Sequence, residues 1–350
     1  MGVPRPTPQD PFSIAHRGRG TFTCHRRIAI VSDLPRQSNE VVQSPRMTQQ
    51  PIVRVDASTF QKPLQQLAEV LSQKVKREAP KLIAAPDFVA FDLHVLIRQA
   101  QHTYDLMFYL NADERREKDC YWRPAYSVVA LPLVRNMIDC LYNITAILQN
   151  PGLHGPWFRK YGYKKLLAGF DEDQATYGGK PEWDEWIAKG RSEIDFEIRR
   201  QGLSQADILA ATDWPTLGQY INRLQKGGTL TPHQLFLKTL VYGPWREYSA
   251  LAHGSSEGLL KTAIYYIADS VPHEYRPKLD DALPRLQSLH LSQAAGILLC
   301  IATEVQAYFR FDGANINERL HAMWTALMPA FAVKELYSER YKQLMKDRGI

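Results

Sequence analysis

Cysteine is scarce. The 350 residues hold four, Cys24, Cys120, Cys140 and Cys300. No two have Cys-x-x-Cys spacing, which excludes a thiolate zinc knuckle and a thioredoxin-type redox pair. Sparse thiols and no secretory leader pattern predict a reducing, cytoplasmic setting. Long apolar runs are missing as well. The longest nearly uncharged one, Ala294 to Ala302, is roughly half a membrane-spanning length, so no membrane span is predicted. Gly-rich phosphate loops, dinucleotide turns and His-Glu-x-x-His are absent; Glu-x-x-His occurs once, Glu318 to His321, and Gly-x-Ser-x-Gly once, Gly254 to Gly258, behind a stretch that reads as helix and not strand. The absences remove the common nucleotide-hydrolase, dinucleotide and zinc-protease chemistries, a Gly-x-Ser-x-Gly without a preceding strand is no serine-hydrolase elbow, and a single Glu-x-x-His falls short of the two a diiron bundle needs. No metal or other cofactor is therefore predicted, and no DNA-reading motif is present.

Charge is unevenly spread. Residues 1–46 hold seven arginines, no lysine and three acids, while the remainder is nearly balanced. The overall charge of +6 thus describes mostly the tail and gives the body no bulk signal for a polyanion. Residues 1–50 carry six prolines and no sustained apolar periodicity, which predicts a disordered tail. Translation starting at Met47 would omit most of it. The folded body is expected over 51–350.

What is abundant is helical periodicity. Ser58 with Gln61 reads as a capping box, followed by Phe60, Leu64, Leu67, Leu71 and Val75, with Pro80 as the stop. Pro86 opens a second helix whose stripe is Val89, Leu93, Leu96, Ile97, Ala100, Tyr104, Met107 and Phe108. Its other face carries His94, Arg98, Gln101, His102 and Asp105. The cation between the two histidines opposes metal binding and favours a solvated or interhelical polar face. A third helix, Tyr126 to Gln149, is apolar on several faces and is expected at the centre, kinked at Pro132. Its charges Arg135 and Asp139 lie four apart and can pair, inside or beside the core. A polar, Trp-rich section follows over about 155–230. Pro181 to Arg200 resumes a helix, and Thr231-Pro232 starts another. A short helix over Pro244 to Ala252 ends at His253-Gly254, with Gly254 as a left-handed cap. Leu289 to Phe309 is helical, as is most of the chain onward to Lys346. Only Ala263 to Ile267 alternates like a strand. The fold class is all-α, a multi-helix bundle. The seven tryptophans are scattered without basic interleaving, which predicts packing roles.

One segment carries chemistry. In Trp245-Arg246-Glu247-Tyr248-Ser249-Ala250-Leu251-Ala252-His253-Gly254, Arg246 and His253 are two helical turns apart, with Ser249 between them. A cation that holds a phosphate beside an imidazole that moves a proton is the minimum for cleaving RNA through its own 2′-hydroxyl. Arg246, His253 and Ser249 are the catalytic candidates; Glu247, Tyr248, Arg135 and Asp139 are the binding candidates. Two other Arg/His pairs occur at similar spacing. Arg19 to His25 lies in the tail, and Arg285 to His290 has an apolar follower.

Arg246, Glu247 and His253 resemble the signature of the HEPN superfamily, an arginine and a polar residue followed by a histidine. Glu247 departs from the Asn, Asp or His preferred there. The resemblance implies a small helical domain, metal-independent RNA cleavage or nucleotide binding in a toxin or defence setting, and an active site shared across a homodimer. Over about 88–260 the chain also resembles an uncharacterised bacterial helical family known only as a domain of unknown function. That likeness rests on Leu133-Val134-Arg135-Asn136-Met137-Ile138-Asp139, Asn150-Pro151, Tyr248-Ser249 and His253-Gly254, and implies a helical fold without an assigned activity. The alternative function is a non-enzymatic helical interaction or ligand-binding module.

Overall fold

A computed structural model of the chain describes residues 58–111, 124–224, 229–267, 270, 272–313, 315–330, 334 and 337–348. The expected tail, 1–50, lies outside these residues. Among the described residues the regular structure is entirely helical. The helices are α1 Ser58–Leu82, α2 Asp87–Asn111, α3 Pro124–Val129, α4 Leu131–Gln149, α5 Pro151–Tyr177, α6 Pro181–Arg200, α7 Gln205–Leu209, α8 Leu217–Leu224, α9 Pro232–Leu240, α10 Arg246–Ala252, α11 Ser256–Tyr266, α12 Arg276–Phe309, α13 Ile316–Leu327 and α14 Lys342–Arg348.

Helices α1, α2, α4 and α12 make the centre, each packing on others of the four. The periodic residues explain why. Leu64, Leu67, Leu71 and Val75 of α1 are buried, as is the whole α2 stripe. On α4, residues Val134, Met137, Ile138, Leu141, Ile144 and Ile147 are all sealed from solvent. Each such side chain gives about 1.5–3 kcal/mol on leaving water, more than enough to override the prolines inside α1. The polar face of α2 is interhelical. His94 Nδ1 lies 2.9 Å from Ser72 Oγ, Arg98 pairs with Glu69, and Asp105 accepts from Gln65.

Several boundaries differ from the sequence reading. Ser58 already stands inside α1, so the cap falls outside the described residues, and Pro80 sits within the last turn rather than ending the helix. The expected helix over Tyr126 to Gln149 is broken, not kinked: α3 ends at Val129, Ala130 forms the turn, and Pro132 sits in the first turn of α4. A proline there loses no hydrogen bond, whereas in mid-helix it would. The alternation over Ala263 to Ile267 falls mainly within α11 and its end. The stretch His273–Phe309 has the length and hydropathy of a membrane span, yet 83% of its most apolar window is buried inside the protein. It is the core helix α12 preceded by a 3₁₀ turn.

The Trp-rich section is largely helical. Asn150 caps α5, its side chain accepting from the Leu153 amide at 3.3 Å. Helices α5 and α6 form a hairpin, with α7 packed on α5. Two glycines of α5 give opposite expectations. A Cβ on Gly155 would lie 2.5 Å from Val89 Cγ2, whereas one on Gly162 would meet nothing within 4 Å. Gly155→Ala should destabilise by about 1–3 kcal/mol through overpacking. Gly162→Ala should stabilise by about 0.5–1 kcal/mol through reduced unfolded-chain entropy. Thermal melts of the two variants check both signs.

Candidate functional site

The α9–α10 junction sets the geometry. Helix α9 starts after Thr231 as expected, and the Thr231 side chain forms a capping box with Gln234. It runs into a wide turn, Val241–Trp245, whose Gly243 has φ −103° and ψ −111°. Pro244 cannot supply a helical N–H, so the turn loosens and α10 restarts at Arg246. His253 ends α10, and Gly254 follows at φ +58°, a left-handed conformation that only glycine adopts freely.

Helix α10 packs on α4, and Arg135 is the residue that joins them. Its Nη1 lies 3.2 Å from His253 Nε2. Its guanidinium stands 5.2 Å from the centre of the Trp245 ring. Its Nε is buried with no hydrogen-bond partner and is 3.8 Å from Asp139 Oδ2. Asp139 Oδ1 accepts the Trp245 indole N–H at 2.9 Å. Asp139, Trp245, Arg135 and His253 therefore form one chain of contacts. Arginine can only donate, so His253 Nε2 accepts and carries no proton in this arrangement. Burial pushes the Asp139 carboxyl up, against the lowering by the Trp245 hydrogen bond and Arg135. The side chains of Arg135 and Asp139 are 26% and 39% exposed, so the pair stands on a wall beside the core. Removal of Asp139 should cost about 1–2 kcal/mol, less than the 3–5 kcal/mol of a fully buried pair.

The other sequence candidates are placed differently. Arg246 is exposed; its charge acts on Glu257 at the start of α11, whose carboxyl is lowered chiefly by Lys261. Glu247 is exposed as well. The Ser249 hydroxyl donates to the Trp245 carbonyl at 2.6 Å, a common use of serine inside a helix. Tyr248 is fully buried. Its hydroxyl bonds to His290 Nδ1 at 2.6 Å and to Gln293, which ties α10 to α12. Tyr248 is thus a core anchor and cannot line a binding surface. The arginine that meets His253 is Arg135, not Arg246.

A cleft of about 590 Å³ is lined in part by Arg135, Asp139 and Trp245 of this cluster. Its walls include Tyr142 and Asn143 of α4, Phe158 and Tyr161 of α5, and Trp214. Tyr142 donates to the Pro215 carbonyl at 3.0 Å, and Trp214 donates to Asn143 Oδ1 at 3.0 Å. These bonds fix the aromatic rings that shape the cleft. Arg159 and Asp92 line the cleft too, and Arg159 grips Asp92 through both carboxylate oxygens, one at 2.9 Å from Nε. Burial pushes the Asp92 carboxyl up to about 6 although Arg159 opposes it.

Sequence reasoning identified Arg135 and Asp139 on α4 but missed Trp245 as their partner and Trp214, Asp92 and Arg159 altogether. The expectation that tryptophans pack holds for Trp214 and Trp324, which are buried. Trp186 is 52% exposed. Among the described residues no cluster of three metal-binding side chains occurs. The chain matches no protein family, no curated protein and no solved structure.

Proposed function

We propose that the chain is a HEPN-like helical domain that binds a nucleotide, and that Arg135 and His253 act at the phosphate of an RNA substrate. The observation that carries this reading is the 3.2 Å approach of Arg135 Nη1 to His253 Nε2, Arg135 itself lining an aromatic cleft. A base stacks on aromatic walls with little regard to its identity. A phosphate near Trp245 draws Arg135 away from the imidazole, which frees Nε2. The imidazole then takes the 2′-hydroxyl proton, the 2′-oxygen attacks phosphorus, and the 5′-oxygen leaves with the proton returned to it. The products are a 2′,3′-cyclic phosphate and a 5′-hydroxyl, and Arg135 offsets the charge that develops on the phosphate oxygens. This departs from the HEPN pattern, because the arginine comes from α4 instead of the Arg246 position. A homodimer that shares the exposed Arg246–Glu247 face belongs to the same proposal.

The test is incubation of the full chain with single-stranded RNAs of mixed sequence in the presence of a chelator, together with calorimetric titration of mononucleotides. Cyclic-phosphate ends and saturable mononucleotide binding are expected. Neither cleavage nor binding would remove the reading. Binding without cleavage would favour the second reading, a non-enzymatic ligand-binding or interaction module. That reading draws on Ser249, whose hydroxyl is committed to a backbone carbonyl, and on Arg246, which is exposed while Arg135 meets His253.

A further inference from the structure

A second, smaller cavity of about 180 Å³ lies between the C-terminal end of α4, α9, α12 and the segment 337–348. His233, Glu304, Tyr308 and Arg340 are its charged or titratable lining, with Leu148, Ala307 and Leu344 as apolar walls. None of these takes part in the Arg135–His253 cluster.

Two observations make this cavity unusual. His233 is 8% exposed, and both its ring nitrogens are buried without a hydrogen-bond partner. Beside it, Glu304 is held by Arg340 through both oxygens, at 3.1 and 3.2 Å. A buried, unmatched imidazole nitrogen costs about 1–3 kcal/mol, so such a group in a native fold calls for a partner. Burial pushes the imidazole down to about 4, so at neutral pH the ring offers one donor and one acceptor. Glu304 has lone pairs to spare beyond the two that Arg340 occupies. The ion pair cancels its own charge, which leaves the cavity polar and close to neutral. A metal ion is disfavoured because Arg340 already covers the carboxylate.

We infer that this cavity is a binding site for a small, uncharged molecule bearing a carboxamide or an equivalent donor–acceptor edge. The carbonyl oxygen accepts from the imidazole N–H, the amide N–H donates to Glu304, and the rest of the molecule packs on Leu148, Ala307 and Leu344. A charged carboxylate or amine would give up water against the buried His233 and a Glu304–Arg340 pair already closed on itself, with no counter-ion of its own, and is disfavoured by that cost.

The test uses the full chain with benzamide as the probe, and benzoate and benzylamine as charged controls of similar shape. Titration is followed by the imidazole nitrogen signals of selectively labelled histidine. The His233 signals are identified by their loss in His233→Phe, a swap of one ring for another. Saturable benzamide binding is expected with a dissociation constant on the order of millimolar, as suits so small a ligand. It should weaken at least about tenfold in His233→Phe, one lost polar contact being worth about 1.4 kcal/mol. Benzoate and benzylamine should leave the His233 signals in place. His233 signals unmoved by benzamide would overturn the proposal, as would equal binding of benzoate. A crystal structure with both imidazole nitrogens bonded to water, undisplaced by soaked benzamide, would overturn it too. If His233→Phe fails to fold, Leu148→Trp, which fills the apolar wall, should abolish every benzamide-induced histidine shift while the histidine signals themselves persist, and shifts that survive it would overturn the proposal.

Discussion

In the proposed RNA cleavage, His253→Ala is expected to lower the metal-independent rate by about 10²–10⁴-fold, the usual worth of a positioned proton-transfer group. That factor corresponds to about 3–5 kcal/mol of transition-state stabilisation. The fold should survive, since His253 is exposed at the end of α10. Arg135→Ala should cost a comparable factor through lost charge stabilisation, and it should also lower the melting point. The melting effect has a separate cause: the guanidinium stands over the Trp245 ring, and a half-exposed cation–π contact is worth about 0.5–1 kcal/mol. Arg246→Ala divides the geometric reading from the sequence reading. If Arg135 is the phosphate-holding residue, Arg246→Ala keeps the rate within about threefold, under ~1 kcal/mol. A loss equal to that of His253→Ala would instead restore the pairing of Arg246 with His253 that their spacing suggested. Initial rates and thermal melts on the three variants separate these outcomes.

How much of this could be read from the chain alone differs by level. The helices were legible where one apolar stripe repeats, because burial of Leu64, Leu67, Leu71 and Val75, or of the α2 stripe, dominates the local energetics. The break before α4 was less legible. A proline marks a discontinuity, but whether it kinks one helix or starts another depends on what the preceding turn packs against, and Ala130 is buried. At the site, periodicity gave Arg135 and Asp139 one face of α4 and gave Arg246, Ser249 and His253 one face of α10. It could not say which face of α10 would meet α4. Tyr248 faces inward, its ring against His290; His253 stands just beyond the last residue of α10, where Arg135 reaches it, while Arg246 in the first turn is exposed. The Asp92–Arg159 pair had no sequence signal, since the partners are 67 positions apart and meet only because α5 folds back along α2.

Acidification should destabilise the protein steeply between pH 6.5 and 4, and two buried histidines should supply most of the loss. Burial pushes both His233 and His290 down from 6.5 to about 4. In that window the unfolded chain takes up protons that the folded chain refuses, so stability is whole above 6.5 and falls as the pH drops through the window. Each histidine contributes about 3 kcal/mol, at 1.36 kcal/mol per pKa unit. Asp92 acts in the opposite sense. Its carboxyl rises from 3.8 to about 6, so the folded chain binds that proton first, and stability lost above pH 6 returns as the pH falls towards 4. That offsets about 3 kcal/mol, one histidine's worth. Denaturant melts of wild type, His233→Phe and Asp92→Asn at pH 7 and pH 4 isolate the contributions. His233→Phe should recover about 3 kcal/mol of the acid loss and be neutral or mildly stabilising at pH 7, because it removes two unmatched nitrogens while keeping the ring volume. Asp92→Asn keeps an acceptor for Arg159 but abolishes the carboxyl titration, so its acid loss should exceed that of wild type by about 3 kcal/mol. Parallel pH curves for wild type and His233→Phe would mean that the imidazole titrates as it does in water, and the buried, unpartnered environment assigned to it would be wrong.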